Sequence, residues 1–365
     1  MQNKILLGPG PTNIDERVKS ALSREPISHL DPDFFIVLDE ISSSLRKIFQ
    51  TKNKVTFTAS GTGSSGMEMS MINLIEPGEK VLILKNGEFS SRMESLAQKL
   101  KADVSTITVE WGESFDQSFV IEKIKSIDNL KLVCAVHAET STGVLQEIDL
   151  IGDFLKETEI LFLVDAVTSL SGIDLRVDEW GIDSCFSGSQ KCLSVPPGLA
   201  PITFSDKALS KIKKRNNLIS SWYFDLGMLI NYWGKDRVYH HTAPVNMLFA
   251  LNEALNISLD EGLNNRFERH KRNGEYFLSR LKKIGLQSFV NEDKFKSLPM
   301  LKSVLIPDRF NDKEFREKLL KNHNLEIGGG LGPTKGKIWR FGLMGFNSRK
   351  ELIDNLFDTL EIYIN

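Results

Sequence analysis

Between about Lys54 and Ser205, short runs of apolar, β-branched residues alternate with stretches in which apolar residues recur every three or four positions. The first pattern suits strands buried on both faces and the second suits amphipathic helices, so the region predicts a mostly parallel sheet covered by helices. The strand segments are KVTFTAS, KVLILKN, ADVSTITV, KLVCAVHAE, EILFLVDAV, IDSCFSGS and APITFS. Several end in small or polar residues: Ser60, Asn86, His137 to Thr140, Asp165 and Ser187 to Lys191. Open α/β sheets collect ligands outside the carboxyl ends of their strands, so chemistry is to be sought there.

After Pro244 the segment VNMLFALNEALNISLDEGLNNRFERHKRNGEYFLSRLKKI keeps the three-and-four spacing and reads as a long, mainly helical connection out of the first unit. A strand at LKSVLIP, a helix in DKEFREKLLKN, a strand at KIWRFGLM and a last helix in RKELIDNLFDTLEIYI make a smaller α+β unit. The expected division is an N-terminal segment 1–14, a large domain 15–255 and a small C-terminal domain 256–365.

Composition narrows the partners. A chain of 365 residues is long enough for two linked domains with a sizeable core. The formal net charge is -2, with both signs spread along the length, so neither a basic nucleic-acid footprint nor an acidic tail is present. A small-molecule partner is expected. Three cysteines, Cys134, Cys185 and Cys192, have no CxxC spacing and fit a reducing cytoplasm. No segment approaches the roughly 18 to 20 uninterrupted apolar residues of a membrane span. The adjacent His240 and His241 are not by themselves a metal site, and no metal is assigned.

The candidate chemistry lies at the strand ends. EILFLVDAV presents the ionisable Asp165 after a run that is otherwise core, and such a carboxylate needs a charged or donor partner. An isolated example would be a turn or helix cap. FSGSQK follows another strand and places Lys191 after small, hydroxyl-bearing residues. Alone it would be a solvated surface lysine. Together the two form a recognisable device: an amine that forms a Schiff base with pyridoxal phosphate and an aspartate that keeps the cofactor's pyridine nitrogen protonated. ASGTGSSGMEMSMINLI opens a helix after a strand, and its free N–H groups suit a phosphate, with Thr62, Gly63 and Ser64 as candidates. It lacks the lysine of a nucleotide P-loop and contains no GxGxxG. In KNGEFSSRM, Phe89 offers a ring to lay on a flat cofactor, or is a packed aromatic. Thr140, Ser141 and Thr142 put hydroxyls at a strand end, and His137 reads as a satisfied core histidine. WRFGLMG sets Arg340 in an apolar strand, where its planar fork is either a receptor for an α-carboxylate or half of a structural salt bridge. VYHHTAP offers Tyr239, His240, His241 and Thr242 as donors.

Nine ordered blocks, LLGPGPTN, ASGTGSSGMEMSMIN, NGEFSSR, HAETSTGVLQ, LFLVDAVTSLSG, FSGSQKCLSVPPG, VYHHTAPV, IGGGLGP and WRFGLMG, run over nearly the whole chain. They resemble the class V aminotransferases of fold type I, in particular the alanine:glyoxylate and serine:pyruvate group. The resemblance implies a large domain with a mostly parallel seven-stranded sheet and a small α+β domain. It implies that Lys191 is the Schiff-base lysine, that Asp165 pairs with the pyridinium and that Phe89 stacks on the ring. It places Thr62, Gly63, Ser64 and Gln190 around the phosphate, Thr140 near the phenolic oxygen, Val167 among the cofactor contacts, and Arg340 with Thr140 on the substrate. Tyr239 and Thr242 match residues that reach the neighbouring subunit's phosphate, which implies a homodimer with composite sites and the N-terminal segment at the active site and interface. Two positions depart from some relatives: Phe89 offers a smaller face than the tryptophan found there, and Ser64 stands where others have histidine. His29, in PISHLDPDF, matches a loop near the site entrance. The implied reaction is transamination of alanine or serine with glyoxylate or pyruvate. 2-Aminoethylphosphonate:pyruvate and ureidoglycine:glyoxylate transfer are the alternatives within the family, and a cysteine desulfurase or lyase is the alternative on the same fold.

Overall fold

In the computed structural model, which describes residues 4–364, the seven apolar runs form β1 (Val55–Ser60), β2 (Lys80–Lys85), β3 (Asp103–Thr108), β4 (Leu130–Val136), β5 (Leu161–Asp165), β6 (Ser184–Phe186) and β7 (Leu199–Phe204). They make one sheet in the order β1-β7-β6-β5-β4-β2-β3. Only β7 runs against its neighbours, β1 and β6; the remaining pairs are parallel. This is the mostly parallel sheet expected from the alternation of strands and helices. Every residue of the central β5 is buried, whereas the edge strand β3, DVSTIT, is exposed or half-buried throughout. That contrast follows from a middle strand having two covered faces and an edge strand having fewer neighbours.

Helices start where local chemistry allows. α1 (Glu16–Leu22) is capped by Asp15, and α2 (Pro32–Phe49) is capped by Asp31, whose carboxylate accepts from the Asp33 N–H at 2.9 Å ahead of a proline in the first turn. α3 (Gly63–Leu74) leaves the end of β1 and α4 (Glu88–Lys99) leaves the end of β2, so both helices point their N-termini at the edge of the sheet where β5 ends.

The long connection is two helices. α5 (Val245–Glu261) and α6 (Leu263–Lys283) meet at Gly262, whose φ of 80° interrupts the helical path. Leu248, Leu251 and Leu255 of α5 lie in the core shared with α2, while Phe277 and Leu281 of α6 join a second core with Trp339, Phe341, Phe357 and Leu360. The expected division at 255/256 falls inside α5, and Leu263 after Gly262 still packs on the first core. The second core is built on β8 (Leu301–Leu305), β9 (Gly328–Gly329) and β10 (Ile338–Gly342), an antiparallel sheet in the order β8-β10-β9, covered by α7 (Lys350–Ile364). The N-terminal segment is stitched to this unit: Ile5–Leu6 pairs in parallel with Leu325–Glu326, and the Gly342 N–H donates to the Leu7 carbonyl at 2.7 Å. Residues 1–3 of the expected segment 1–14 lie outside the described residues.

Candidate active site

Asp165 ends β5 and is 3% exposed. Its Oδ1 accepts from the Val167 N–H at 2.8 Å, which ties the carboxylate to the turn after the strand. Burial pushes its pKa up to about 7, helped by the negative charge of Glu139 and opposed by the Val167 N–H and the Lys191 ammonium. Lys191 follows β6 in a loop locked by its own small residues. The Ser187 hydroxyl donates to the Ala166 carbonyl at 3.0 Å, the Ser189 hydroxyl to the Pro196 carbonyl at 2.7 Å, and the Val195 N–H to the Ser189 carbonyl at 2.9 Å. The lysine is therefore inward, 8% exposed, and donates to the Pro9 carbonyl. Burial and then the positive charge of Arg340 lower its pKa to about 8, against the pull of Cys192 and Asp165. The close roof is possible because residue 10 is glycine: φ is 104°, and a Cβ there would come within 3.0 Å of the Lys191 Nζ.

Arg340, on β10 of the other unit, lies close enough for its charge to act on Lys191. Its Nε donates to the Gly329 carbonyl at 2.7 Å and its Nη1 to the Thr140 carbonyl at 3.1 Å. Nη2 makes no hydrogen bond among the described residues. The guanidinium is 6% exposed and is anchored on carbonyls, so the salt-bridge alternative is not what the fold builds. Burial lowers its pKa to about 10, with Glu139 and Glu326 pulling the other way. Thr140 shares a 2.6 Å hydrogen bond between its hydroxyl and that of Thr168.

On the far side of Asp165, Thr62 caps α3 with its backbone while its hydroxyl makes no cap bond, and Ser64 is exposed. Gly63 lies against Val167, and Gln190 lies beside Gly188 and Val167 with a buried Oε1 that has no partner. Amide oxygen and nitrogen are assigned from the surrounding bonds, so a turned Gln190 presents N–H groups there. Phe89, half-buried in the first turn of α4, has the Arg92 guanidinium 4.9 Å from its ring centroid.

Two expected residues lie at the surface of the single chain. Tyr239 is 57% exposed and packs on His29 with ring centroids 5.4 Å apart, and Thr242 is exposed. The segment is tied to the end of β1 by a 2.8 Å bond between Ser60 Oγ and His241 Nε2. His137 is buried, but its Nδ1 has no partner and its ring stands edge-on to Trp180; it is not the satisfied histidine expected. Burial lowers its pKa to about 4, so it is neutral. Two residues were missed: Glu139, a fully buried carboxylate, and Thr168. The signal for Glu139 was an acid just past the end of a buried strand, the kind of position that singled out Asp165.

The model of the class V aminotransferase family matches residues 15–352. The chain is a class V aminotransferase. It is 44% identical to an alanine–glyoxylate aminotransferase from Nostoc sp., whose crystal structure it matches with a TM-score of 0.97 over 100% of this chain and 96% of that one. It is 37% identical over 366 residues to the (S)-ureidoglycine–glyoxylate transaminase of Bacillus subtilis, covering 95% of this chain and 87% of the relative. It is also 37% identical over 360 residues to the alanine–glyoxylate aminotransferase of Rattus norvegicus, covering 98% and 86%. Class V aminotransferases are in general pyridoxal-phosphate dependent, and the residues of this aminotransferase fit that group. A buried amine, a buried carboxylate without a cation in contact, a helix N-terminus with an idle hydroxyl and an orphaned amide are the partners an aldehyde, a pyridinium and a phosphate require. No helix among the described residues is long and apolar enough to cross a membrane.

Proposed function

We propose that this aminotransferase uses pyridoxal phosphate at Lys191 to move the amino group of alanine or serine to glyoxylate or pyruvate. The observation that carries the reading is Arg340, a buried planar cation fixed by two carbonyls with one nitrogen open, beside the lysine that would handle the substrate's α-proton.

When bound, the cofactor supplies an aldehyde for the lysine and a conjugated ring that accepts the electron pair left at the substrate's α-carbon. Lys191 anchors it and, once freed, moves the α-proton; a pKa lowered to about 8 leaves more neutral amine at physiological pH than an ordinary lysine would have. Asp165 holds the pyridine nitrogen protonated. Thr62, Gly63, Ser64 and Gln190 take the phosphate, Phe89 and Val167 would pack against the ring, and Thr140 would serve the phenolic oxygen. Arg340 would hold the α-carboxylate and so turn the substrate's Cα–H toward Lys191.

A homodimer belongs to the same proposal. Tyr239, Val238 and Trp222 are between 54% and 59% exposed. They border the Ser60–Thr62 turn through the Tyr223 hydroxyl, which donates to the Ser60 carbonyl at 3.4 Å. An apolar rim beside the phosphate turn suits a second copy, whose Tyr239 and Thr242 would complete the site. Three buried free cysteines agree with a reducing compartment such as the cytoplasm. They also weigh against a desulfurase, because burial raises the pKa of each thiol, that of Cys192 to about 11.

The test is a panel of alanine, serine, aspartate, (S)-ureidoglycine and 2-aminoethylphosphonate against glyoxylate and pyruvate. Highest kcat/KM with alanine or serine is expected. A clear preference for ureidoglycine or the phosphonate would overturn the donor, and sulfur release from cysteine would overturn the reaction. In the same assay Arg340→Ala should lower kcat/KM by about ten- to 160-fold, the worth of about 1.5 to 3 kcal/mol of charge-assisted hydrogen bonding. Unchanged discrimination between an amino acid and its decarboxylated amine would contradict that role.

A further inference from the structure

The roles above leave the carboxylate of Glu139 unused, although it is 0% exposed and sits among the site's charges. Burial pushes its pKa up, yet every hydrogen bond it makes is one it accepts. Ser141 donates its N–H at 3.0 Å and its hydroxyl at 2.6 Å, Ser90 donates its N–H at 3.4 Å, and the Phe89 N–H is directed at the same group. A protonated carboxyl would add a donor to a ring of donors, so these surroundings match the anion. Phe89 and Ser90 belong to the first turn of α4, whose N–H groups lack helical partners and whose dipole favours negative charge. The Ser141 hydroxyl takes the remaining Glu88 N–H at 3.0 Å. This interlock needs glycine at 87, where a Cβ would collide with the Glu139 side chain.

The turn that begins at Glu139 also reaches the opposite wall. Its next residue, Thr140, gives its carbonyl to Arg340 and its hydroxyl to Thr168. One short turn thus joins the helix that carries Phe89, the strand that carries Arg340 and the loop that follows Asp165.

We propose that Glu139 is a positioning residue for transamination: its carboxylate pins the first turn of α4 so that Phe89 presents its ring to the cofactor, while the turn it starts holds Arg340 in place through Thr140. This rests on the pyridoxal-phosphate reading above. Glu139→Gln preserves size but turns one accepting oxygen into a donor aimed at donors, so half of the interlock is lost.

The experiment is a double-mutant cycle on cofactor affinity. Pyridoxal phosphate is titrated into the apo forms of wild type, Glu139→Gln, Phe89→Ala and the double variant, and binding is followed by absorbance. Loss of one charge-assisted hydrogen bond predicts that Glu139→Gln raises Kd by roughly ten- to a hundredfold. If Glu139 acts through Phe89, the same change in the Phe89→Ala background should cost less than about threefold, because the coupled contribution is already gone. A purely structural role would give equal losses in both backgrounds. Equal losses, or a Kd for Glu139→Gln within about twofold of wild type, overturn the proposal. Should Glu139→Gln fail to fold, Ser141→Ala, which removes only the bridging hydroxyl, goes through the same cycle under the same criteria. Wild-type protein that binds no pyridoxal phosphate would sink the cofactor reading itself, whereas a binding wild type with additive losses would sink only the role of Glu139.

Discussion

Lys191→Ala will reduce transamination by at least roughly a thousandfold, the largest loss expected from any single substitution here. Two separable contributions meet in this one side chain, covalent attachment of the cofactor and movement of the α-proton, and general acid–base catalysis alone is worth about 10² to 10⁴. The fold prepares the amine for both by burying it under Pro9 and setting it near Arg340, which together lower its pKa to about 8. Lys191→Arg should be as inactive, since a guanidinium keeps its charge and cannot serve as the base. Pyridoxal phosphate should still bind both variants through Thr62, Gly63 and Gln190, without the absorbance change that attachment to Lys191 produces. Single-turnover rates and absorbance spectra check this, and residual turnover above about one percent of wild type would overturn the assignment.

The second large effect is that Asp165→Asn should stabilise the apo protein and weaken the holo protein. Asp165 has a pKa raised from 3.8 to about 7, chiefly by burial. A raised acid pKa contributes stability that is complete below about pH 4 and is lost as pH rises through about 7. Every tenfold change in the carboxyl's acidity on folding is worth about 1.4 kcal/mol. Asparagine does not ionise, so the apo variant should melt above apo wild type at about pH 8, with the difference shrinking toward about pH 4. Lys191 acts in the opposite sense, since a lowered lysine pKa gives stability that is lost as pH falls from 10.5 through about 8. The comparison at fixed pH between wild type and Asp165→Asn removes that contribution. With pyridoxal phosphate the order reverses, because the buried carboxylate gains a pyridinium partner. Breaking a buried pair costs roughly 3 to 5 kcal/mol, a rise in Kd of about two to three and a half powers of ten. Melting curves of apo and holo protein at about pH 5 and about pH 8 read both signs. An apo variant less stable than wild type at the higher pH, or an unchanged cofactor affinity, would count against the assignment.

Asp165 and Lys191 stood out in the sequence only as a pair: alone, a carboxylate ending an apolar strand reads as a cap and a lysine after small residues reads as a surface lysine. Gly63 and Thr62 were singled out from the strand-to-helix turn. Glu139 stands at the same kind of position as Asp165 and was overlooked, because the hydroxyls beside it drew the reading instead. Arg340 could be read only as one of two possibilities, since a guanidinium in an apolar strand looks the same in sequence whether a carboxylate faces it or not.

The sequence by itself determined the strand segments and a mostly parallel sheet, because apolar runs alternating with amphipathic stretches leave a local record, and its nine ordered blocks carried the family. It also determined which residue types were available at the strand ends. The tertiary structure alone decided where Arg340 points, that two carbonyls hold it, that Pro9 and Gly10 roof Lys191, and that the long helical connection turns at Gly262. These depend on pairs far apart in the chain, such as Arg340 with Thr140 and Lys191 with Pro9, and no periodicity along the chain encodes such a pair. The burial that shifts the pKa values of Asp165 and Lys191 has the same origin: each is set by what the rest of the fold places over it.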